Sequence, residues 1–213
     1  VCADAIDFSD ALRLVLNRAQ FMQKSVSNTR GAMAAIIGLE NEVVEEVCVT
    51  IAEQYPDLVL QPANYNAPGQ IVIAGHTELV EQSLSQFEAR GAKLTKILPV
   101  SVPCHCDLMR PCADAFAEVV AATPMRAPKI KLVSNVDVSI YESVEQMKKL
   151  LVQQLYMPVR WTETLNIFKA QSITHLMECG PGKVLCGLAK RTTPELKSMF
   201  CFEVNHVPNW DNV

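Results

Sequence analysis

Two side chains in this sequence, a histidine and an arginine, have the chemistry to act on a substrate. His105 follows Pro103-Cys104, where an apolar stretch gives way to a helical pattern. A neutral imidazole near pH 7 is the usual general base for a hydroxyl nucleophile, and a second group must fix its tautomer. Taken alone, His105 has an alternative interpretation as a structural histidine satisfied by neighbouring carbonyl groups, which is the more common case.

Arg18 belongs to a predicted amphipathic helix that starts at Ser9, a plausible N-cap. At about 100° per residue, Arg18 lies i+7 from Ala11 and i+3 from Val15, so we expect it to face inward. Its fork of donors could hold a carboxylate through two hydrogen bonds. The alternative is an arginine that extends along the helix edge or pairs with a carboxylate of the protein. The apolar stripe of this helix consists of Ala11, Leu12, Val15, Leu16, Ala19 and Met22.

Other candidate motifs are weaker. Cys104, Cys106 and Cys112 lack the paired Cys-x-x-Cys spacing of familiar zinc sites, so we predict no metal. The turn that contains Gly180-Pro181-Gly182 lacks the spacing of a dinucleotide or phosphate loop and is interpreted as a packing turn. The 213 residues contain no Gly-x-Ser-x-Gly, the pentapeptide that presents the nucleophile in many α/β acyl-transfer enzymes.

The elements that must position these side chains fall into two groups. Residues 32–98 predict strand 32–38, helix 41–53, strand 58–65, strand 70–75, helix 77–89 and strand 93–98, a βαββαβ order typical of a ferredoxin-like subdomain. Ala67-Pro68-Gly69-Gln70 predicts the hairpin turn between the middle strands. After Pro99 the pattern changes to α/β units, with helices at 108–122, 143–155, 161–170 and 183–191 and strands at 130–134, 174–179 and 199–204. The fold class is therefore α/β, with a smaller piece inserted into a larger layered domain.

Composition excludes several classes of function. The chain is 49% hydrophobic and 20% charged, as in ordinary globular proteins, and no apolar run approaches the roughly 20 residues of a membrane span. A formal net charge of -4 gives no general attraction to nucleic acid. The eight cysteines are too scattered for a secreted disulfide scaffold, so we expect reduced thiols and a cytoplasmic location.

Six stretches, in order along the chain, match the landmarks of one enzyme family. They are residues 7–18, 31–36, 64–76, 98–105, 154–161 and 178–185. On these motifs the sequence, from its first residue to about Thr192, closely resembles the malonyl-CoA:acyl carrier protein transacylases of bacterial fatty acid synthesis. The resemblance implies an α/β-hydrolase-like large domain (1–30 and 99–213) with an inserted ferredoxin-like subdomain (31–98).

The resemblance also implies a mechanism and the residues that perform it. A serine takes the malonyl group from coenzyme A, and the phosphopantetheine thiol of acyl carrier protein then takes it from the serine. His105 would be the general base and acid, the backbone carbonyl of Gln154 would orient its ring, and Arg18 would pair with the malonyl carboxylate. Met33 and Cys104 would line the acyl pocket. No cofactor or metal is implied, since the coenzyme A thioester is a substrate and phosphopantetheine belongs to the partner.

One departure from the family pattern affects activity. The Gly-His-Ser-x-Gly of the family lies a few residues before the position that matches Val1, so we expect the serine upstream and these 213 residues alone to be inactive. Two alternatives remain: an acyltransferase of a polyketide or polyunsaturated fatty acid synthase, and a catalytically silent interaction module. An acidic carrier protein would dock on local positive charge, for which the candidates are Lys93, Lys96, Lys190 and Arg191.

Overall fold

The structure is a computed structural model that describes residues 1–27 and 30–201. Its first half contains α1 (Phe8–Ser25), β1 (Gly31–Ile37), α2 (Asn41–Gln54), β2 (Leu60–Ala67), β3 (Gln70–His76), α3 (Thr77–Ala89) and β4 (Leu94–Ile97). Its second half contains a 3₁₀ helix (Asp107–Cys112), α4 (Ala113–Ala122), α5 (Val144–Gln153), α6 (Trp161–Ala170), β5 (His175–Cys179), α7 (Val184–Thr192) and β6 (Lys197–Cys201). The predicted α/β class is confirmed.

The first half forms a four-stranded antiparallel sheet in the order β2-β3-β1-β4. Apolar residues in α2 recur at positions 44, 47, 48 and 51, the spacing that places side chains on one face of a helix. This face and the matching face of α3 cover one side of the sheet. The core between them contains Ala34, Ile36, Val44, Val47, Ile51, Ile71, Ile73, Leu79, Val80 and Phe87.

The opposite side of the same sheet is also buried, and this side positions the candidate site. Because side chains alternate along a strand, Met33 points away from α2 and α3. It packs in a second cluster with Ala63, Val72, Ala74 and Cys106. The loop that follows β4 therefore lies against the sheet, and this loop carries His105.

Two glycines are required where the sheet turns or packs closely. Gly69 has φ +67° in the β2–β3 turn, a conformation that favours glycine, and Ala67 pairs with Gln70 across it. This confirms the predicted hairpin. At Gly75 an added Cβ would lie 2.0 Å from the carbonyl oxygen of Val59, so the close approach of the backbones excludes a side chain.

The second half is built from helices and one short sheet. Helix α1, the 3₁₀ helix and α4 enclose a core of Leu14, Met22, Met109, Phe116, Val120 and Leu155. Strands β5 and β6 pair in parallel, and α6 and α7 pack near them around Leu165, Ala189 and Leu196. Within the described residues, no helix is both long enough and apolar enough to cross a membrane.

Three predictions about these elements need correction. The strand predicted at 130–134 is wrong: this segment makes only an isolated bridge, between Val133 and Ile140, because it folds back on its own turn. The helix predicted at 108–122 begins as a 3₁₀ helix at Asp107 and becomes α-helical only after Pro111, which has no N–H to donate. The last predicted strand starts earlier, at Lys197, and its positions 202–204 lie outside the described residues.

The apolar stripe predicted for α1 is also only partly buried. Leu12, Val15 and Leu16 are 55%, 64% and 58% exposed, whereas Leu14 and Met22 are buried. The helix itself is confirmed, but it begins at Phe8 with Asp7 rather than Ser9 as its N-cap. It packs against the 3₁₀ helix and α4 through a different face from the one that its periodicity indicates.

Candidate active site

His105 lies two positions before the first residue of the 3₁₀ helix, Asp107, in an unusual backbone conformation. Its φ is +64°, in the left-handed region that few residues other than glycine adopt. Its backbone N–H donates to the carbonyl of Leu155 at 2.9 Å, which anchors it to the turn after α5. Residues held in this region cluster at functional sites, where the surrounding structure keeps them in place.

The ring of His105 is oriented by the same turn. Nδ1 lies 2.8 Å from the backbone carbonyl oxygen of Gln154. Since a carbonyl oxygen can only accept, Nδ1 carries the proton and Nε2 keeps a lone pair. The side-chain amide nitrogen of Gln154 also approaches Nδ1, at 3.3 Å, but a second donor adds no hydrogen bond in this tautomer. The predicted contact between His105 and the Gln154 carbonyl is present.

Burial lowers the pKa of His105 below its ordinary value. Hydrogen bonds with the backbone of Gln154 and Met157 raise this pKa, the positive charge of Arg18 lowers it further, and the net change is downward. A lowered pKa keeps the imidazole neutral at pH 7. The ring is therefore in the protonation state that a general base requires.

Arg18 comes from α1 and is partly buried. Its charge acts on His105 and also on the thiols of Cys104 and Cys112, so the structure brings the two predicted residues into one electrostatic environment. Within residues 1–27 and 30–201, no carboxylate forms a salt bridge with Arg18. The guanidinium can therefore pair with an anion that is not part of this segment.

Cys104 and Met33, the two predicted lining residues, occupy the space between this loop and the sheet. Met33 is buried, and Cys104 packs against its cluster from the loop side. Burial raises the pKa of the Cys104 thiol, although the charge of Arg18 opposes that change. A protonated, partly buried thiol contributes an apolar wall rather than a nucleophile.

A second set of residues near His105 was not predicted. They line a cavity of about 230 Å³ together with His105, and include Gln61, Tyr65, Asp107, Arg110 and Tyr156. Of these five, Tyr65 and Tyr156 lie within the sequence motifs, and neither had an assigned role. The available signal was Asp107, an acidic residue two positions after the histidine and three positions before Arg110, since this spacing suits an i,i+3 ion pair.

The glycine turn after β5 is largely exposed, and a Cβ added at Gly180 or Gly182 would meet nothing within 4 Å, so the structure does not support the packing role predicted for it. The N-terminal end of α7, where an anion could bind, already has a ligand from the protein, because the carboxylate of Glu178 accepts the N–H of Cys186 at 2.9 Å. No group of three or more metal-ligating side chains occurs in the described part of the chain.

The four candidate docking cations are all exposed, and two of them flank one end of the sheet. Arg191 donates to the Gln70 side chain at 2.6 Å, and Lys93 donates its backbone N–H to Ile37 at 2.7 Å. Ile37 and Gln70 are directly paired between β1 and β3. Lys93 and Arg191 therefore lie on neighbouring parts of the surface.

A family model and a curated relative both match nearly the whole of this chain. Residues 1–200 match the family model described as "Acyl transferase domain". The malonyl CoA-acyl carrier protein transacylase of Escherichia coli (strain K12) is 48% identical over 196 residues, which are 92% of this chain and 62% of that protein. This chain therefore spans less than two thirds of the length of that relative.

Two solved structures are similar in fold as well as sequence. An acyl carrier protein S-malonyltransferase from Vibrio cholerae has a TM-score of 0.92 and 44% identity, covering 97% of this chain and 66% of its own. A malonyl-transacylase in complex with a type II polyketide synthase acyl-carrier protein has a TM-score of 0.94 and 42% identity, covering 100% of this chain and 68% of its own. The chain therefore belongs to the acyl transferase family of malonyl CoA-acyl carrier protein transacylases.

Proposed function

We propose that this chain supplies the base and the carboxylate-binding arginine of an enzyme that transfers malonyl groups from coenzyme A to acyl carrier protein. The observation that carries the proposal is the placement of His105 and Arg18 in one environment, with the imidazole neutral and its Nδ1 bound to the Gln154 carbonyl. A cation that has no carboxylate partner among the described residues, and whose charge acts on a neutral base, suits a substrate that has both an anion and an electrophilic carbon.

In the first half of the reaction, the nucleophile is a serine hydroxyl from a part of the polypeptide outside these 213 residues. Nε2 of His105 takes the hydroxyl proton while the serine oxygen bonds to the thioester carbon. The tetrahedral intermediate then collapses, the carbon–sulfur bond breaks, and coenzyme A leaves with the proton that His105 returns. Gln154 stabilises the imidazolium throughout, because its carbonyl accepts from Nδ1.

In the second half, the phosphopantetheine thiol of the carrier protein gives its proton to His105 and attacks the serine ester. The carbon–oxygen bond breaks, and the serine oxygen recovers the proton from the imidazole. The chemistry is complete without a metal or a bound cofactor. Coenzyme A enters as a thioester and leaves as a thiol.

Arg18 gives this reaction its preference for a malonyl group. A guanidinium pairs with a carboxylate through two parallel hydrogen bonds, and partial burial strengthens that pairing. An acetyl group would leave the guanidinium without a partner, which penalises the uncharged substrate. Met33 and Cys104 would bound the acyl group on the side of the sheet.

The finer architecture that fits this function is an α/β-hydrolase-like domain formed by residues 1–30 and 99–213, with residues 31–98 as an inserted ferredoxin-like subdomain. The strand order β2-β3-β1-β4 with two helices on one face supports the ferredoxin-like part. The parallel β5–β6 pair, flanked by α6 and α7, supports the α/β part. The site lies where the two parts meet.

The partners are malonyl-CoA and an acidic acyl carrier protein in the cytoplasm. All eight cysteines are free thiols, which suits a reducing compartment. We place the carrier on the exposed cations Lys93, Lys96, Lys190 and Arg191. Fatty acid synthesis is the leading role, and the similarity to a malonyl-transacylase bound to a polyketide carrier makes polyketide synthesis the second candidate.

The proposal is tested with the complete polypeptide that includes the serine. It is mixed with malonyl-CoA and, separately, with acetyl-CoA, and the acyl-enzyme is quantified by intact-protein mass before and after addition of carrier protein. We expect malonyl transfer to be much faster than acetyl transfer. Equal rates for the two donors would contradict the role of Arg18, and absence of any acyl-enzyme would favour a catalytically silent interaction module.

A further inference from the structure

We propose that Asp107 is a positioning residue for His105, an inference that rests on the proposed role of that histidine as the base. The Asp107 carboxylate ties the loop that carries His105 to strand β2 on one side. On the other side it is tied, through Arg110, to the turn that already holds the imidazole. Both ties are made at Asp107, two residues after the strained backbone of His105.

The tie to β2 is a reciprocal pair of hydrogen bonds. The side-chain amide of Gln61 donates to Oδ2 of Asp107 at 2.9 Å, and the backbone N–H of Asp107 donates to Oε1 of Gln61 at 2.9 Å. Both residues are partly buried and lie 46 positions apart in the chain. This pair of hydrogen bonds therefore fixes the position of the His105 loop relative to strand β2.

The second tie runs through Arg110. Its Nε donates to Oδ1 of Asp107 at 2.5 Å, and its guanidinium lies over the ring of Tyr156, 4.2 Å from the ring centre. Tyr156 directly follows Leu155 and Gln154, whose carbonyls accept from the backbone and ring of His105. These contacts close around His105, and we call the set formed by Gln61, Asp107, Arg110, Tyr156 and the Gln154–Leu155 turn the circuit.

This circuit addresses a specific need of the site. A histidine with φ +64° stays in that conformation only if its neighbours hold it there. The carboxylate of Asp107 uses both oxygens, one for each side of the loop, so no other residue of the circuit can replace it. A shift of about 1 Å in a reacting group can cost 10²-fold in rate, which makes such support important for the base.

The charges around His105 indicate that Asp107 acts through position. Its carboxylate is paired with Arg110. The pKa of His105 depends on its burial, on the charge of Arg18 and on hydrogen bonds with the backbone of Gln154 and Met157, and the Asp107 carboxylate is not among these influences. The titratable side chains that line the same cavity are Tyr65 of β2, Tyr156 of the turn after α5, and Asp107 and Arg110 of the 3₁₀ helix.

The test compares Asp107→Ala with the wild type in the complete polypeptide. The pKa of the His105 ring is measured by NMR titration, and malonyl transfer is measured from pH 5 to 8. With the loop released, the ring becomes more hydrated, so we expect its pKa to rise towards the ordinary value by about half a unit or more. We expect kcat to fall about tenfold, KM for malonyl-CoA to change less than about twofold, and the acid limb of kcat to move with the ring pKa.

Two further variants make the test specific. Asp107→Asn keeps the backbone bond to Gln61 and one acceptor oxygen, so it should lie between the wild type and Asp107→Ala. Gln61→Met removes the tie to β2, and its effect on kcat should not add to that of Asp107→Ala, because both break one circuit. Glu46→Ala is the matched control, because it removes an exposed ion pair, between Glu46 and Arg90, that is not part of the circuit. It should change neither the His105 titration nor kcat.

The outcomes separate this proposal from the proposed function. An unchanged His105 titration in Asp107→Ala overturns the positioning role, whatever the activity. So does a loss of rate that is uniform with pH and matched by a lower melting temperature. If the wild type transfers no malonyl group, the proposed function fails, and the NMR titration alone still decides whether Asp107 positions the ring.

Discussion

Replacing Arg18 with alanine in the complete polypeptide should change which acyl group is transferred. Arg18 is partly buried on α1 and has no salt-bridge partner among the described residues. Truncating one partner of a desolvated, hydrogen-bonded charge pair costs about 2–5 kcal/mol. Because Arg18 is only partly buried, we expect about 3 kcal/mol, which corresponds to about a 10²-fold loss in kcat/KM for malonyl-CoA.

The assay measures kcat/KM for malonyl-CoA and acetyl-CoA with the same preparation and carrier protein. Acetyl transfer should be retained or increase, because the alanine variant no longer leaves a guanidinium unpaired next to an uncharged acyl group. Arg13→Ala is the matched control, since Arg13 lies on the same helix, is 74% exposed and pairs with Asp10. It should leave both donors unchanged.

An equal loss of kcat/KM for malonyl-CoA and acetyl-CoA in Arg18→Ala would contradict the role of Arg18. That result would show that Arg18 supports the fold or the nucleophile rather than the malonyl carboxylate. A loss in the Arg13→Ala control as large as that in Arg18→Ala would also refute it, because the effect would then belong to the helix as a whole.

Three other predictions concern the base, the carrier and the sheet. His105→Ala should slow acylation about 10²-fold or more, and unchanged stopped-flow kinetics would exclude the role of the base. In the wild type the acylation rate should fall as the imidazole is protonated, at a pH below the ordinary histidine pKa of about 6.5, because burial lowers the pKa of His105. Because folding lowers the pKa of His105, its contribution to the free energy of unfolding is present above about pH 6.5 and is lost as the pH falls through the pKa of the folded state. Urea unfolding measured at a series of pH values can follow this loss. Lys93→Glu should raise KM for the carrier and leave KM for malonyl-CoA unchanged, whereas Lys149→Glu should alter neither. Gly75→Ala should lower the free energy of unfolding by about 1–3 kcal/mol, because its Cβ meets a carbonyl oxygen at 2.0 Å, while helical Gly187→Ala should not destabilise.

The sequence was most informative where both partners of a contact lie in the same stretch. The βαββαβ order is confirmed because strands and helices of residues 31–97 bury their apolar faces on one another. The ends of these elements follow local chemistry: Gly69 in the hairpin and Gly91, with φ +94°, after α3. Such signals depend on neighbouring residues and can be read directly.

Predictions failed where the outcome depends on a distant partner. Residues 130–134 have the composition of a strand, but in the described chain they pair only with their own turn at Ile140. The stripe of α1 was correctly identified as apolar, yet periodicity cannot say which face is covered, and Val15 is 64% exposed. A hydrophobic pattern predicts an element and its apolar face, whereas burial also requires a neighbour.

The same distinction between local signals and distant partners applies to the candidate site. His105 and Arg18 were identified from residue type and family motifs, and the bond to the Gln154 carbonyl is present as expected. Asp107 and Gln61 were not identified, because a reciprocal pair across 46 positions leaves no trace in local spacing. The left-handed backbone of His105 was also invisible, since histidine carries no sequence signal for a positive φ comparable to that of glycine.

The most direct measurement is a crystal structure of the malonyl-enzyme, formed from the complete polypeptide and malonyl-CoA in the absence of carrier protein. We expect the malonyl carboxylate to pair with the guanidinium of Arg18 through two hydrogen bonds, and Nε2 of His105 to lie within hydrogen-bond distance of the serine ester oxygen. A carboxylate that points into solvent or pairs with another cation, or an imidazole out of reach of the ester, would contradict it.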